Sequence, residues 1–282
     1  MNEKIEGNMG YKKIDNEILK KLHEVEMEIL DEIDRICIEN GLNYFLMGGS
    51  MLGAVRHKGF IPWDDDIDIA MPRKDYDKFI KICRTKLDQK YYLHCFETDK
   101  QYYLPFAKIR KNNTIFLEKA IEKLETHHGI FVDIFPFENA KKADSFFQKI
   151  QAILVRTITE TMFYKKKIIK KESCRHTFVV SIFNMFSGPF LMKLQRMLMR
   201  LNRNDSADYL VALSGSCEYR RATSPKSVFL PTKPIQFENR VYQGMNNPDE
   251  YLKSVFGDYM KLPPEEERVN HNAIKIVFED NQ

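Results

Sequence analysis

"YFLMGGSMLGAVRHKGFIPWDDDIDIAM" occupies residues 44 to 71. Four aspartates, Asp64, Asp65, Asp66 and Asp68, fall within five positions, shortly after a glycine pair and a serine. Like charges this close repel, so the fold needs something to neutralise them, and a bound cation is the first candidate. "YFLM" reads as a short buried strand ended by Gly48-Gly49, and "SMLGAV" as a brief helix opening from that turn. "IDIAM" is the next strand, closed by Pro72. Side chains alternate along a strand, so Asp66 and Asp68 point the same way, with α-carbons about 6 to 7 Å apart. Ile67 and Ile69 turn to the other face and into the core.

This D-x-D geometry suits magnesium-dependent phosphoryl chemistry, in which hard oxygen ligands hold the metal and substrate phosphates complete its shell. Gly48, Gly49 and Ser50 supply the other half of such a site. Backbone N–H groups at a glycine turn before a helix approach an anion closely, and the helix dipole and the Ser50 hydroxyl add to the attraction. Asp133, an isolated acid in the apolar strand "GIFVDIFPF", is the candidate third carboxylate. Burying it is costly unless it is paired or coordinated. The plainer alternative is an aspartate hydrogen-bonded at a strand end.

Upstream, residues 15 to 40 read as an amphipathic helix. Ile18, Leu22, Val25, Ile29, Ile33 and Ile36 recur at helical spacing, Asp15 caps the start, and Asn40-Gly41 stops it. Downstream, a charged helix carries Tyr76, Phe79, Ile80 and Cys83 on its apolar side. "YYLHCF", "PFAKIR", "TIFLE" and "IFVDIFPF" read as strands, the last ending at Pro136. The result is a mixed α/β sheet core. Residues 143 to 203 look helical, cationic and locally very apolar, and 222 to 265 are rich in proline and turns, with a short helix near 248 to 256. The expected divisions are a catalytic core over 1–140, a helical basic and apolar region over 141–221, and a C-terminal segment over 222–282 packing back on the core.

The chain has 282 residues, 43% of them hydrophobic, which is ample for a buried core. A net charge of +4 suits anionic partners but is too small to argue for nucleic acid. The five cysteines, Cys37, Cys83, Cys95, Cys174 and Cys217, contain no C-x-x-C pair, which argues against a disulfide framework. Cys174 and His176 have no second ligand pair to complete a zinc site. The N-terminus lacks the apolar core of a signal peptide, and no run reaches bilayer length. The expectation is a cytoplasmic protein, at most attached to the inner face of the membrane.

"GGSMLGAVRHKGFIPWDDDIDIAMPRKDYDKF", "GIFVDIFPF" and the late "FGDYMKLPP" together resemble the LicD family of phosphocholine transferases. That family lies in the nucleotidyltransferase-fold superfamily, with the fukutin-related sugar-alcohol phosphate transferases. The resemblance is dense over about 42 to 138 and returns around 240 to 265. It implies a nucleotidyltransferase-like core with a helical insertion and a C-terminal extension. The superfamily pattern of Gly-Gly/Ser turn, Asp-x-Asp and later single acid fits Gly49 and Ser50, then Asp66 and Asp68, then Asp133. The spacing from Ser50 to Asp66 is longer than is common in the superfamily.

The resemblance also implies Mg²⁺, or Mn²⁺ in its place, held by Asp66, Asp68 and Asp133 against the pyrophosphate of a CDP-linked donor. The donor's phosphocholine, or a related phospho-alcohol, would pass to a hydroxyl of a cell-surface glycan, teichoic acid or lipopolysaccharide precursor. Asp133 would be metal ligand, general base, or both. Lys108 and Arg110, two apart on a strand and hence on one face, are phosphate-clamp candidates or simply a basic strand edge. Arg56, His57 and Lys58 either contact the nucleotide or balance Asp64 and Asp65, and His127 and His128 precede the Asp133 strand. Trp63, Tyr102, Tyr103 and Phe106 are available for a choline cage, though strand aromatics more often serve the core. "TFVVSIFNMFSGPFLMKLQRMLMR", preceded by "YKKKIIKK", reads first as a core helical hairpin broken at Gly188-Pro189 and second as a membrane-surface element. Two rivals use the same acids: a nucleotidyltransferase that moves the nucleoside monophosphate itself, and a non-catalytic metal- or nucleotide-binding module.

Overall fold

The computed structural model describes residues 14–141, 145–202, 204, 206–215, 219–268, 270–271 and 273–279. Cys217 and the extreme N-terminus lie outside them; the other four cysteines are free and buried. α1 (Asn16–Asn40) begins where the Asp15 carboxylate accepts the amides of Glu17 and Ile18, and it stops at Gly41, whose φ of 61° suits glycine. Its inner face buries Leu22, Ile29, Ile33 and Ile36 as the periodicity requires, whereas Ile18, in the first turn, is 41% exposed.

β1 (Phe45–Leu46), α2 (Gly48–Arg56), β2 (Asp68–Pro72) and α3 (Arg73–Lys86) follow, then β3 (Tyr91–His94), β4 (Ala107–Lys111), β5 (Ile115–Glu118) and β6 (Phe131–Ala140). Next come α4 (Phe146–Lys165), α5 (Thr177–Phe183) and α6 (Gly188–Met199). The chain ends with β7 (Tyr209–Val211), β8 (Thr223–Pro225), α7 (Lys226–Phe229), β9 (Lys233–Phe237), β10 (Arg240–Gly244), α8 (Pro248–Phe256) and β11 (Ala273–Val277).

The central sheet runs β1-β2-β6-β4-β3, with β7 and β8 added through β6. β2 and β6 are parallel and the other pairs antiparallel, so the protein is mixed α/β with a mixed sheet. β6 is longer than its proline suggested. It pairs with β4 as far as Ile134 and with β7 from Glu138, and Pro136 falls between these two pairings, where its missing N–H breaks neither ladder. α1 and α3 pack on the sheet, and α8 packs on α2. α4, α5 and α6 form a second small core around Ile158, Met162, Leu191 and Met192. Among the described residues no single helix is long and apolar enough to cross a membrane.

The core-hairpin reading of residues 177 to 200 holds for only one helical face. Val180, Leu191, Met192 and Met199 are buried, but Phe178, Ile182, Met185, Phe186 and Phe190 are exposed.

The α1 contacts give a direct test. Truncating the fully buried Ile33 to alanine should cost about 2–4 kcal/mol in urea denaturation. Ile38→Ala, on the 67% exposed side of the same helix, should change stability by no more than about 0.5 kcal/mol.

Candidate active site

Three adjacent strands bring the acids together by register. Asp133 on β6 lies opposite Asp68 on β2 and opposite Lys108 on β4. Residues opposite one another in a sheet project from the same face, so Asp68, Asp133 and Lys108 stand in a row. Lys108 Nζ is 2.6 Å from Asp133 Oδ1 and 3.4 Å from the Phe131 ring centre. The costly buried carboxylate anticipated at Asp133 is thus met by a buried ammonium that also rests on an aromatic face.

The glycine turn closes against the same carboxylates. Met47 N–H donates to the Asp68 carbonyl at 3.0 Å, and Asp68 N–H donates to Ser50 Oγ at 2.8 Å. A Cβ on Gly48 would lie 3.1 Å from Asp68 Oδ2, and one on Gly49 would lie 2.6 Å from Asp64 Oδ2. Gly48 also has a φ of 54°, a conformation that favours glycine, while at Gly49 a side chain would have to displace the Asp64 carboxylate. α2 starts at Gly48 itself, two residues earlier than the sequence suggested, and the Met47 side chain before it makes no capping bond. Tyr251 of α8 takes the Gly48 amide through its hydroxyl at 3.1 Å. The amides that follow remain oriented toward any anion at the helix start.

Two further residues reach the cluster from distant parts of the chain. His271, just before β11, donates its backbone N–H to both Asp65 oxygens at 3.1 Å and places Nδ1 2.8 Å from Asp65 Oδ1. Its Nε2 lies 3.6 Å from Asp66 Oδ2. Glu26 of α1 is 1% exposed, and its Oε2 has no hydrogen-bond partner among the described residues. α1 also fixes the acidic loop through His23, whose Nε2 donates to the Asp64 carbonyl at 2.8 Å while its ring stacks on Phe60.

The electrostatics follow from this crowding. Burial, with further repulsion from Asp133 and Asp65 that the nearby His271 charge only partly offsets, pushes the Asp66 carboxyl up to about 6. Burial and repulsion from Asp66 and Asp133 push Asp68 well above the carboxylate range, and burial together with Asp66 does the same to Asp64 and Glu26. For His271, burial opposes the charged ring, but the Asp65 hydrogen bond and the Asp66 charge outweigh it and raise its pKa well above the ordinary value.

These groups fit a divalent cation. Ligand atoms of Asp65, Asp66 and His271 lie within 4.8 Å of one another, and the orphaned Glu26 oxygen and the raised Asp68 carboxyl are the marks of a site short of positive charge. This set overlaps the expected trio of Asp66, Asp68 and Asp133 only at Asp66.

Other expected contacts are committed elsewhere. Arg110 is 3% exposed and donates to His94 Nδ1 and to the Gly129 carbonyl, so it braces the sheet rather than facing a phosphate. Arg56 donates to His57 Nε2 and to the Tyr259 carbonyl, tying the loop to the C-terminal segment. Lys58 is exposed, with a φ of 62°. His127 Nε2 meets Asn112 Oδ1, and His128 Nε2 donates to the Leu124 carbonyl. The aromatics do not form one cage: Trp63 carries the Arg268 guanidinium, Phe106 packs on Phe135, Tyr102 on His94, and Tyr103 on Phe163.

A mixed α/β protein whose clustered carboxylates are compatible with a divalent metal is the class these elements define. The profile of the LicD/FKTN/FKRP nucleotidyltransferase domain matches residues 41–177, an interval holding the glycine turn, the acids and Lys108. The lipopolysaccharide cholinephosphotransferase LicD of Haemophilus influenzae is 30% identical over 259 residues, covering 90% of this chain and 96% of the relative. The mouse and human ribitol 5-phosphate transferases FKRP are each 51% identical over 35 residues, 12% of this chain and 7% of theirs. The chain belongs to the LicD family.

The raised carboxyls set a pH dependence. A group whose pKa is higher in the folded state stabilises the fold below its unfolded value and ceases to do so as pH rises through the folded one. Asp66, Asp68 and His271 all share this sign. Without divalent cation, the melting temperature should therefore fall as pH rises from about 4, the free carboxylate value, through the Asp66 value of about 6 and beyond. Millimolar Mg²⁺ should restore most of the loss, and Asp68→Asn should flatten both effects. Thermal melts in chelator and in Mg²⁺ across this range make the check.

Proposed function

We propose that this chain is a Mg²⁺-dependent transferase with a nucleotidyltransferase-like core, with Mn²⁺ as a substitute ion. It moves phosphocholine or a related phospho-alcohol from a CDP-linked donor to a hydroxyl of a cell-surface glycan precursor, of lipopolysaccharide or teichoic-acid type. The observation that carries this reading is the register of Asp68, Asp133 and Lys108 beside the glycine turn that opens α2. Similarity to the Haemophilus influenzae cholinephosphotransferase over nearly the whole of both chains supports the choice of reaction.

In this reading Asp66, Asp68 and Asp133 would hold the ion, with Asp65 and His271 orienting Asp66 from behind. When bound, such an ion would supply neutralisation of the charge on the donor's pyrophosphate and on the departing nucleotide. The amides after Gly48 and the Ser50 side of the turn receive the donor phosphates. Lys108 faces the transferred phosphoryl group and exchanges part of its contact with Asp133 for that contact. Asp133, freed on one oxygen, accepts the proton of the acceptor hydroxyl as its oxygen attacks phosphorus. The new O–P bond forms as the bond from that phosphorus to the bridging oxygen breaks, and CMP leaves.

Calorimetric titration of CDP-choline, CDP-ribitol, CDP-glycerol and ATP, with and without Mg²⁺, tests the donor. Metal-dependent binding of one CDP-alcohol should weaken at least tenfold in Asp66→Asn, with the fold retained. Turnover in that variant should fall by about 10²–10³. Release of CMP supports the transfer; release of pyrophosphate would instead indicate nucleotidyl transfer.

A further inference from the structure

Helices on a protein surface present polar residues to water and apolar ones inward. α5 and α6 break this rule on their outer side. Their inner faces are already satisfied, with Val180, Leu191 and Met192 at most 1% exposed against α4. Outside, Phe178 is 77% and Met185 84% exposed, with Ile182, Phe186 and Phe190 between 42% and 48%. Phe178 and Ile182 are four apart on α5, Met185 and Phe186 continue that side, and Phe186 stacks on Phe190 at 5.3 Å. The five side chains therefore make one ridge around the corner between the helices, which meet at 116°.

A lysine run borders the ridge. Lys165 donates to the Asn184 carbonyl at 2.8 Å, and the Met162 methyl reaches the start of α6 at Gly188, so the end of α4 lies directly behind the corner. Lys166, Lys167, Lys170 and Lys171 continue from there. Between Thr161 and Met199 there are eight Lys and Arg residues and one acid, Glu172. That local excess is larger than the +4 of the whole chain, so the remainder of the protein is net acidic. Neither helix can cross a bilayer: 12 residues of α6 rise only about 18 Å against about 30 Å of hydrocarbon.

We propose that the α5–α6 corner is a monotopic docking surface for an anionic lipid bilayer. The ridge inserts between acyl chains and the lysine run sits at the headgroups. The charge asymmetry favours lipid over a second copy of this chain, whose identical lysines would repel across a symmetric contact. This surface includes none of the residues assigned to phosphoryl transfer, and its test needs no donor or acceptor.

The test is flotation of the full chain with vesicles of phosphatidylcholine alone or mixed with phosphatidylglycerol. The chain should float with the anionic vesicles, and raised salt should weaken this. Replacing Met185 and Phe186 together by glutamate should reduce binding at least tenfold. Lys167→Gln and Lys170→Gln should each weaken it about fivefold. All four positions are exposed, so circular dichroism and melting should match the parent. Equal binding to neutral and anionic vesicles, or no binding to either, would overturn the proposal. So would concentration-dependent self-association, measured by sedimentation, that the Met185 and Phe186 replacements abolish, because the ridge would then be a contact between copies.

Discussion

Mutual repulsion among crowded, partly or fully buried carboxylates is the constraint around which this molecule is arranged. Asp64, Asp65, Asp66 and Asp68 arrive on one short segment, and β6 and α1 add Asp133 and Glu26. In a medium that screens poorly, such a cluster resists ionisation. The fold answers with Lys108 across β4, His271 from near β11, and helix-start amides at the glycine turn. Among the described residues, these two cationic side chains do not balance six acids. The shortfall of positive charge marks a position for a ligand as clearly as a cavity would.

Holding such a cluster requires rigid surroundings. Asp68 and Asp133 are fixed by strand register, which cannot slip by one residue without turning Ile67 and Ile69 out of the core. The acidic loop is clamped from three directions: His23 on the Asp64 carbonyl, Ser50 Oγ on the Asp68 amide, and His271 on Asp65. Glu238 adds a fourth tie by accepting the Phe60 amide. Much of the chain after residue 222 thus serves the acids, through Glu238, Tyr251 and His271.

What could be read in advance depended on how local its cause was. The limits of α1 were legible because Asp15 and Gly41 act within one helical turn. Asp133 stood out because one acid in an apolar strand is itself anomalous. Glu26 carried a similar signal: it lies four after Leu22 and three before Ile29, on the apolar face of α1, where a charge has no ordinary reason to be. His271 had no local signature, since its partner lies 206 positions away and only tertiary structure joins them. Arg110 shares a face with Lys108 as alternation requires, but alternation is silent about neighbours, and His94 and Gly129 occupy it. The reading of the central apolar stretch as core held for one helical face only, for a related reason. Hydropathy reports what a side chain avoids, while exposure depends on whether a second layer exists to cover it.

The pairing of Asp65 with His271 also has a consequence for biosynthesis. At about 5–20 residues per second, a ribosome needs roughly 10 to 40 seconds to make the chain between them. Throughout that interval the nascent acidic segment lacks one of its two cationic partners. Until His271 and β11 emerge, that segment keeps the repulsion which the finished fold partly relieves. The charge balance of the acidic segment is therefore a late event in the making of the chain, set by the position of His271 rather than by that of the acids.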